Sequence, residues 1–110
     1  MNYKVEAIPN FKREAKQLVK KFRSLKQELE SLEEILETEP HTGTPQGSNC
    51  YKIRLAVESK LKGKSGGARI ITYVYVEQST VYLLTIFDKG EYENISDKDL
   101  KVLIKIAQSL

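Results

Sequence analysis

The sequence predicts an α+β domain with the order β-α-α-β-β-β-α: a helical hairpin packed on a mainly antiparallel four-stranded sheet, with a further helix at the C-terminus. Two adjoining segments near the N-terminus repeat apolar residues at spacings of three and four, the period of helices that bury one face. From Tyr51 the period changes to two, and two later runs carry β-branched and aromatic residues on both faces, as central strands do. The length of 110 residues suits one domain over 1–110.

In chain order, Tyr3, Val5 and Ala7 alternate with Lys4 and Glu6 as in a half-buried strand, and Pro9 suits the first turn of a helix. Phe11, Ala15, Leu18 and Phe22 then line one helical face, with Lys12, Lys16, Lys20 and Lys21 on the remainder. Ser24 with Gln27 resembles a capping box that opens a second helix, in which Leu25, Leu29, Leu32 and Leu36 face inward and Glu28, Glu30, Glu33, Glu34 and Glu37 face water. A short link at Arg23 and Ser24 lets the two helices fold back as a hairpin. Pro40 ends the second helix, and the segment to Cys50 reads as an exposed loop. Tyr51, Ile53, Leu55 and Val57 point one way from the next strand, while Lys52 and Arg54 share its other face. Strands at Ala68–Val76 and Val81–Phe87 join through Gln78–Thr80, and Ser96 with Asp99 forms an N-cap before a helix that buries Leu100, Leu103, Ile104 and Ala107.

With 40% hydrophobic and 30% charged residues, the composition excludes disordered and fibrous classes. No apolar run approaches the roughly 18 residues that span a bilayer, and the N-terminus lacks a signal-peptide core, so a cytoplasmic protein without membrane contact is expected. Cys50 is the only cysteine, which fits a reducing compartment, and neither it nor the lone His41 belongs to a metal-ligand pattern. The net charge of +3 conceals a sharp division: residues 1–23 and 51–69 each carry +5, whereas residues 24–50 carry −5 and residues 70–94 carry −3. A fold that gathers the two basic segments would attract phosphates.

Several chemistries are excluded by spacing. Gly63-Lys64-Ser65 invites a phosphate-loop reading, but that motif requires glycine where Glu58 stands and a helix where a strand follows. His41 and Cys50 lack an orienting acid, and the carboxylates Asp88 with Glu91 and Asp97 with Asp99 sit where a turn and a helix start account for them. What remains is a basic loop, Lys60, Lys62 and Lys64 among glycines, leading directly to Arg69 and suited to clasping a phosphodiester backbone.

The element order, the pair Lys52 and Arg54, the string KSGGARIIT from Lys64 to Thr72 and the string YLLTIFDKGEYENIS from Tyr82 to Ser96 together resemble the RelE/ParE toxin superfamily, closest to its RelE branch. The similarity extends over essentially the whole chain. The resemblance implies a cytosolic toxin of a type II toxin-antitoxin system, neutralised by a cognate antitoxin, that cuts mRNA at the ribosome without metal or cofactor. In that reaction the 2′-hydroxyl of one nucleotide attacks the adjacent phosphate, and cations stabilise the charge that develops. The resemblance assigns Lys52 as general base. It assigns Arg54 and Arg69 as phosphate-stabilising cations and Lys89 as a cation near the leaving group.

One position departs from the family pattern. A tyrosine beyond the last strand stacks on a base in RelE-like toxins, whereas Ile95 falls near that place here, with Tyr92 as the available substitute. Two alternatives therefore stand beside the nuclease: a ParE-like inhibitor of DNA gyrase, and a catalytically weak toxin-fold protein that meets operator DNA only through its antitoxin complex.

Overall fold

The computed structural model describes residues 2–59, 67–90 and 94–110. In order, they form β1 (Lys4–Ala7), α1 (Pro9–Lys21), α2 (Leu25–Thr38), β2 (Thr44–Gly47), β3 (Cys50–Leu55), β4 (Ala68–Tyr75), a 3-10 turn (Val76–Gln78), β5 (Thr80–Asp88) and α3 (Asp97–Gln108). The α+β class is as the sequence predicts. The sheet, however, has five strands rather than four, ordered β1-β5-β4-β3-β2, with β1 parallel to β5 and every other pair antiparallel.

The additional strand, β2, lies inside the segment expected to be an exposed loop. Its sequence, TPQG, has no apolar alternation, since only Gln46 is half-buried and the other three residues are exposed, and Pro45 fits an edge position. It folds back onto β3 through a turn in which Gly47, Ser48 and Asn49 all have positive φ, conformations that glycine and asparagine tolerate at small cost. Cys50, expected in that loop, instead opens β3 and is buried as a small apolar side chain.

The core lies between the sheet and the helical hairpin. Ile70, Val74, Val81, Leu83 and Ile86 of the two central strands meet Ile8, Phe11, Leu25, Leu32 and Leu36, all of them buried. On the other sheet face the Gln108 side chain donates to the Tyr73 hydroxyl at 3.0 Å, which docks the end of α3 over a cluster of Tyr73, Tyr75 and Tyr82. Ser96 caps α3 as expected, its hydroxyl accepting from the Asp99 N–H at 3.1 Å. Ser24 does not cap α2. Its backbone is already helical, and its hydroxyl donates to Glu28 and pairs with Ser59, so the interhelix turn is tied to the chain leaving β3. The β4–β5 link is also longer than the expected Gln78–Thr80: Val76 leaves the strand for the 3-10 turn, and Ser79 adopts φ 48°.

α1 has a second structural role. β1 covers β5 only through Leu83, which leaves the backbone from Leu84 onward without a strand partner on that edge. Side chains of α1 supply the missing bonds: Asn10 Nδ2 donates to the Leu84 carbonyl at 3.2 Å, and Glu14 Oε1 accepts from the Ile86 N–H at 3.2 Å and from the Thr85 hydroxyl at 2.7 Å. Glu14→Ala strands those two donors, and a loss of roughly 1–3 kcal/mol is expected in urea unfolding, the usual cost of buried groups left unbonded. Burial pushes the Cys50 thiol up to about 12. The native protein should therefore resist thiol reagents at pH 8 and react fully in denaturant. Because the unfolded thiol ionises first, stability should also fall as pH rises from the ordinary cysteine range toward that value.

Candidate functional site

The antiparallel register of β3 and β4 sets Arg54 directly opposite Arg69, and that of β4 and β5 sets Arg69 directly opposite Phe87. Directly opposed residues project from the same face, so two arginines and a phenylalanine form a row across three strands. Lys52, two residues before Arg54, projects from the same face, opposite Ile71. Ile53, by contrast, lies opposite Ile70 and is buried with it in the core that the helical hairpin covers, which assigns the other face of β3 to the hairpin. Three of the cations expected to act together therefore lie on one sheet face at one end of the sheet.

Their surroundings differ. Arg54 is exposed and Lys52 half-buried, whereas Arg69 is 5% exposed, with a guanidinium N–H donating to the Ala68 carbonyl at 3.4 Å. A buried arginine stem flanked by strands holds its head in a fixed place, while the exposed Arg54 keeps its rotamer freedom. Lys89 follows β5 immediately. Its backbone N–H donates to the Gly67 carbonyl at 3.2 Å, tying it beside the start of β4 and hence to the end of the sheet that carries Arg69. Gly67 itself has φ +62°, and a Cβ there would collide with the Leu55 carbonyl, so only glycine lets the chain enter β4 this close to β3. Tyr92 and the loop lysines Lys60, Lys62 and Lys64 lie outside the described residues.

Two hollows border this row. One, of about 390 Å³, lies between α1 and α3 and is lined by Glu14, Thr85, Phe87, Ile95 and Asp99. The other, of about 540 Å³, lies between α2 and β3 and is lined by Leu32, Ile35, Ile53, Arg54 and Leu55. Beyond Lys52, β3 has no partner from β2. Ile35, at its rim, is 46% exposed.

Of the carboxylates set aside in the sequence, Glu91 lies outside the described residues and the other three have structural employment. Asp88 Oδ1 accepts from the Gly90 N–H at 2.9 Å, closing a turn, and its other oxygen lies 3.8 Å from Lys21 Nζ. Asp97 and Asp99 occupy the first turn of α3. His41 is exposed, its ring meeting Tyr51 edge-on at 5.5 Å. Sequence reading missed Phe87 as the neighbour of Arg69 and Glu14 as the cap of the β5 edge. The first is legible only once the register is known. The second had a signal, a single acid in an otherwise basic helix.

Residues 9–110 match the family described as the RelE toxin of the RelE / RelB toxin-antitoxin system. Among solved structures, the free state of a double arginine-to-alanine mutant of the E. coli toxin RelE is similar, with a TM-score of 0.60 and 21% identity, covering 84% of this chain and 90% of that one. That likeness carries the fold, β-sheet and helices together, while the family match extends from the start of α1 to the last residue. The protein is a member of the RelE toxin family.

Proposed function

We propose that this chain, as one toxin domain, is an endoribonuclease that cleaves mRNA at the ribosome in the cytoplasm, without a metal ion, and is held inactive by its antitoxin. The observation that carries the reading is the placement of Arg54 directly opposite Arg69, with Lys52 on the same face. Like charges directly opposed across strands disfavour each other, and a phosphate between them turns that repulsion into attraction from both sides. The rigid Arg69 head fixes the phosphate and the mobile Arg54 closes on it.

In the reaction, Lys52 takes the proton from the 2′-hydroxyl, whose oxygen attacks the adjacent phosphorus. The bond from phosphorus to the 5′-oxygen breaks, leaving a 2′,3′-cyclic phosphate, and the departing oxygen takes up a proton to become a 5′-hydroxyl. Arg54 and Arg69 stabilise the extra charge on the non-bridging oxygens as the phosphorane forms. Lys89, tied beside β4, stands on the leaving-group side, with Tyr92 as the proton donor there. Lys60, Lys62 and Lys64 hold the flanking backbone.

The same geometry supports neutralisation by an antitoxin segment lying in the groove between α2 and β3. The apolar side chains suit an extended or helical peptide, and Arg54 is part of the groove wall, so an occupant also covers that cation. Operator DNA is then reached only through the antitoxin.

Primer-extension mapping of mRNA ends in cells briefly expressing the protein tests the reading. Cuts that depend on translation are expected within coding regions and should vanish for the combined Lys52→Ala, Arg54→Ala and Arg69→Ala variant, checked for folding by circular dichroism. Arg54→Ala alone should slow cleavage by about 10²–10³-fold, the typical loss of one charge-stabilising group. Cleavage persisting in the folded triple variant overturns the assignment. Ile35→Asp should weaken antitoxin binding at least roughly tenfold in calorimetry while leaving cleavage intact.

A further inference from the structure

We propose that the outer face of α1 is a second RNA-binding surface, separate from the Lys52, Arg54 and Arg69 row, which grips the phosphate backbone of structured RNA while that row engages the strand to be cut. The inference rests on the reading above that RNA is the target, and it assigns the anchoring to a part of the chain with no role in the chemistry. α1 contains a single acid, Glu14, and that carboxylate is turned inward onto the Thr85 hydroxyl and the Ile86 N–H. The charged side chains of the outward face are consequently all cations: Lys12, Arg13, Lys16 and Lys20 are exposed, beside the neutral Gln17.

The glutamates of α2 lie in the adjoining helix of the same hairpin, yet among the described residues Lys12, Lys16 and Lys20 have no carboxylate within ion-pair distance. Glu28, the acid nearest the interhelix turn, is instead engaged by the Ser24 hydroxyl and the Glu58 N–H. Like charges four residues apart on a helix destabilise it, so the fold carries an unfavourable stripe that an external polyanion relieves. Successive lysines at this spacing rise about 6 Å along the axis, comparable to the step between neighbouring phosphates on one strand.

The stripe also points at the site. Asn10 bonds to Leu84, Glu14 bonds to Ile86 and Lys21 lies beside Asp88, so α1 runs alongside β5 toward its C-terminal end. Asp88 is opposite Ala68, one residue from Arg69. A polyanion lying along α1 is therefore led to the end of the sheet where the arginines stand. A structured duplex is favoured over a single strand as the occupant because the row is straight and rigid and offers no aromatic side chain for base stacking on its exposed positions.

The test is fluorescence anisotropy of a short fluorescein-labelled RNA duplex titrated with the full chain over a salt series. It compares the unaltered protein with a Lys12→Gln, Lys16→Gln, Lys20→Gln variant and an Arg54→Ala, Arg69→Ala variant. The glutamine variant should bind at least roughly tenfold more weakly at low salt, with a slope of log affinity against log salt shallower by about 2–3, from the loss of three phosphate contacts. The alanine variant should retain its duplex affinity and lose mRNA cleavage in cells. Unchanged affinity and slope in the glutamine variant, or no duplex binding by the unaltered protein, overturns the proposal. If cleavage in cells still depends on Arg54 and Arg69, the nuclease reading survives that outcome. Weakened antitoxin binding with an unchanged duplex titration would also overturn it, and would identify the stripe as a docking face for an acidic protein. Retained thermal midpoints show that the glutamine variant is folded.

Discussion

The pairing of β4 with β5 is the constraint on which the rest of the molecule depends. Both strands are buried on both faces over nearly their whole length, so every other element packs against this pair or extends it. Burying a residue such as Ile70 or Leu83 contributes about 1.5–3 kcal/mol, and this pair concentrates such residues in two adjacent segments. β3 adds to one side and β1 to the other. The helical hairpin covers one face, α3 the second, and the register of the central pair determines which residues of the flanking elements meet.

That register converts a scattered set of cations into a row. Arg54 and Arg69 are fifteen positions apart, on different strands, and come together because Leu55 pairs with Ala68 and each preceding residue pairs in step. Gly67 makes the alignment possible by bringing the chain within contact of the Leu55 carbonyl. The carbonyl of Gly67 also accepts from Lys89, so one glycine links the ends of β3, β4 and β5. Electrostatic function thus rests on a steric fact, the absence of a Cβ.

The hairpin keeps its two polar faces apart. Its basic helix spends its only carboxylate on the open edge of β5, where Glu14 replaces the bonds that a longer β1 would have made. On the acidic helix, Glu33 is raised from its ordinary value by partial burial and by the nearby charges of Glu30 and Glu37. The two helices present polar faces of opposite charge, and the arginine row lies between them: Arg54 lines the groove beside α2, while Lys21 at the end of α1 reaches Asp88, next to the row.

Local pattern determined the elements whose periodicity reflects burial. The two hairpin helices, the central strands, the N-cap at Ser96 and the shared face of Lys52 and Arg54 all follow from the spacing of side chains that must leave water. β2 was hidden because an edge strand that buries no apolar side chain has no pattern to display. The Ser24 cap was misassigned because its hydroxyl had a distant partner, Ser59, that only the fold brings near. The residue types of the candidate site, and the resemblance they carry, were legible in the sequence. Their convergence was not, because the distance between two side chains on different strands is set by register, and register is decided jointly by all the contacts of the folded sheet.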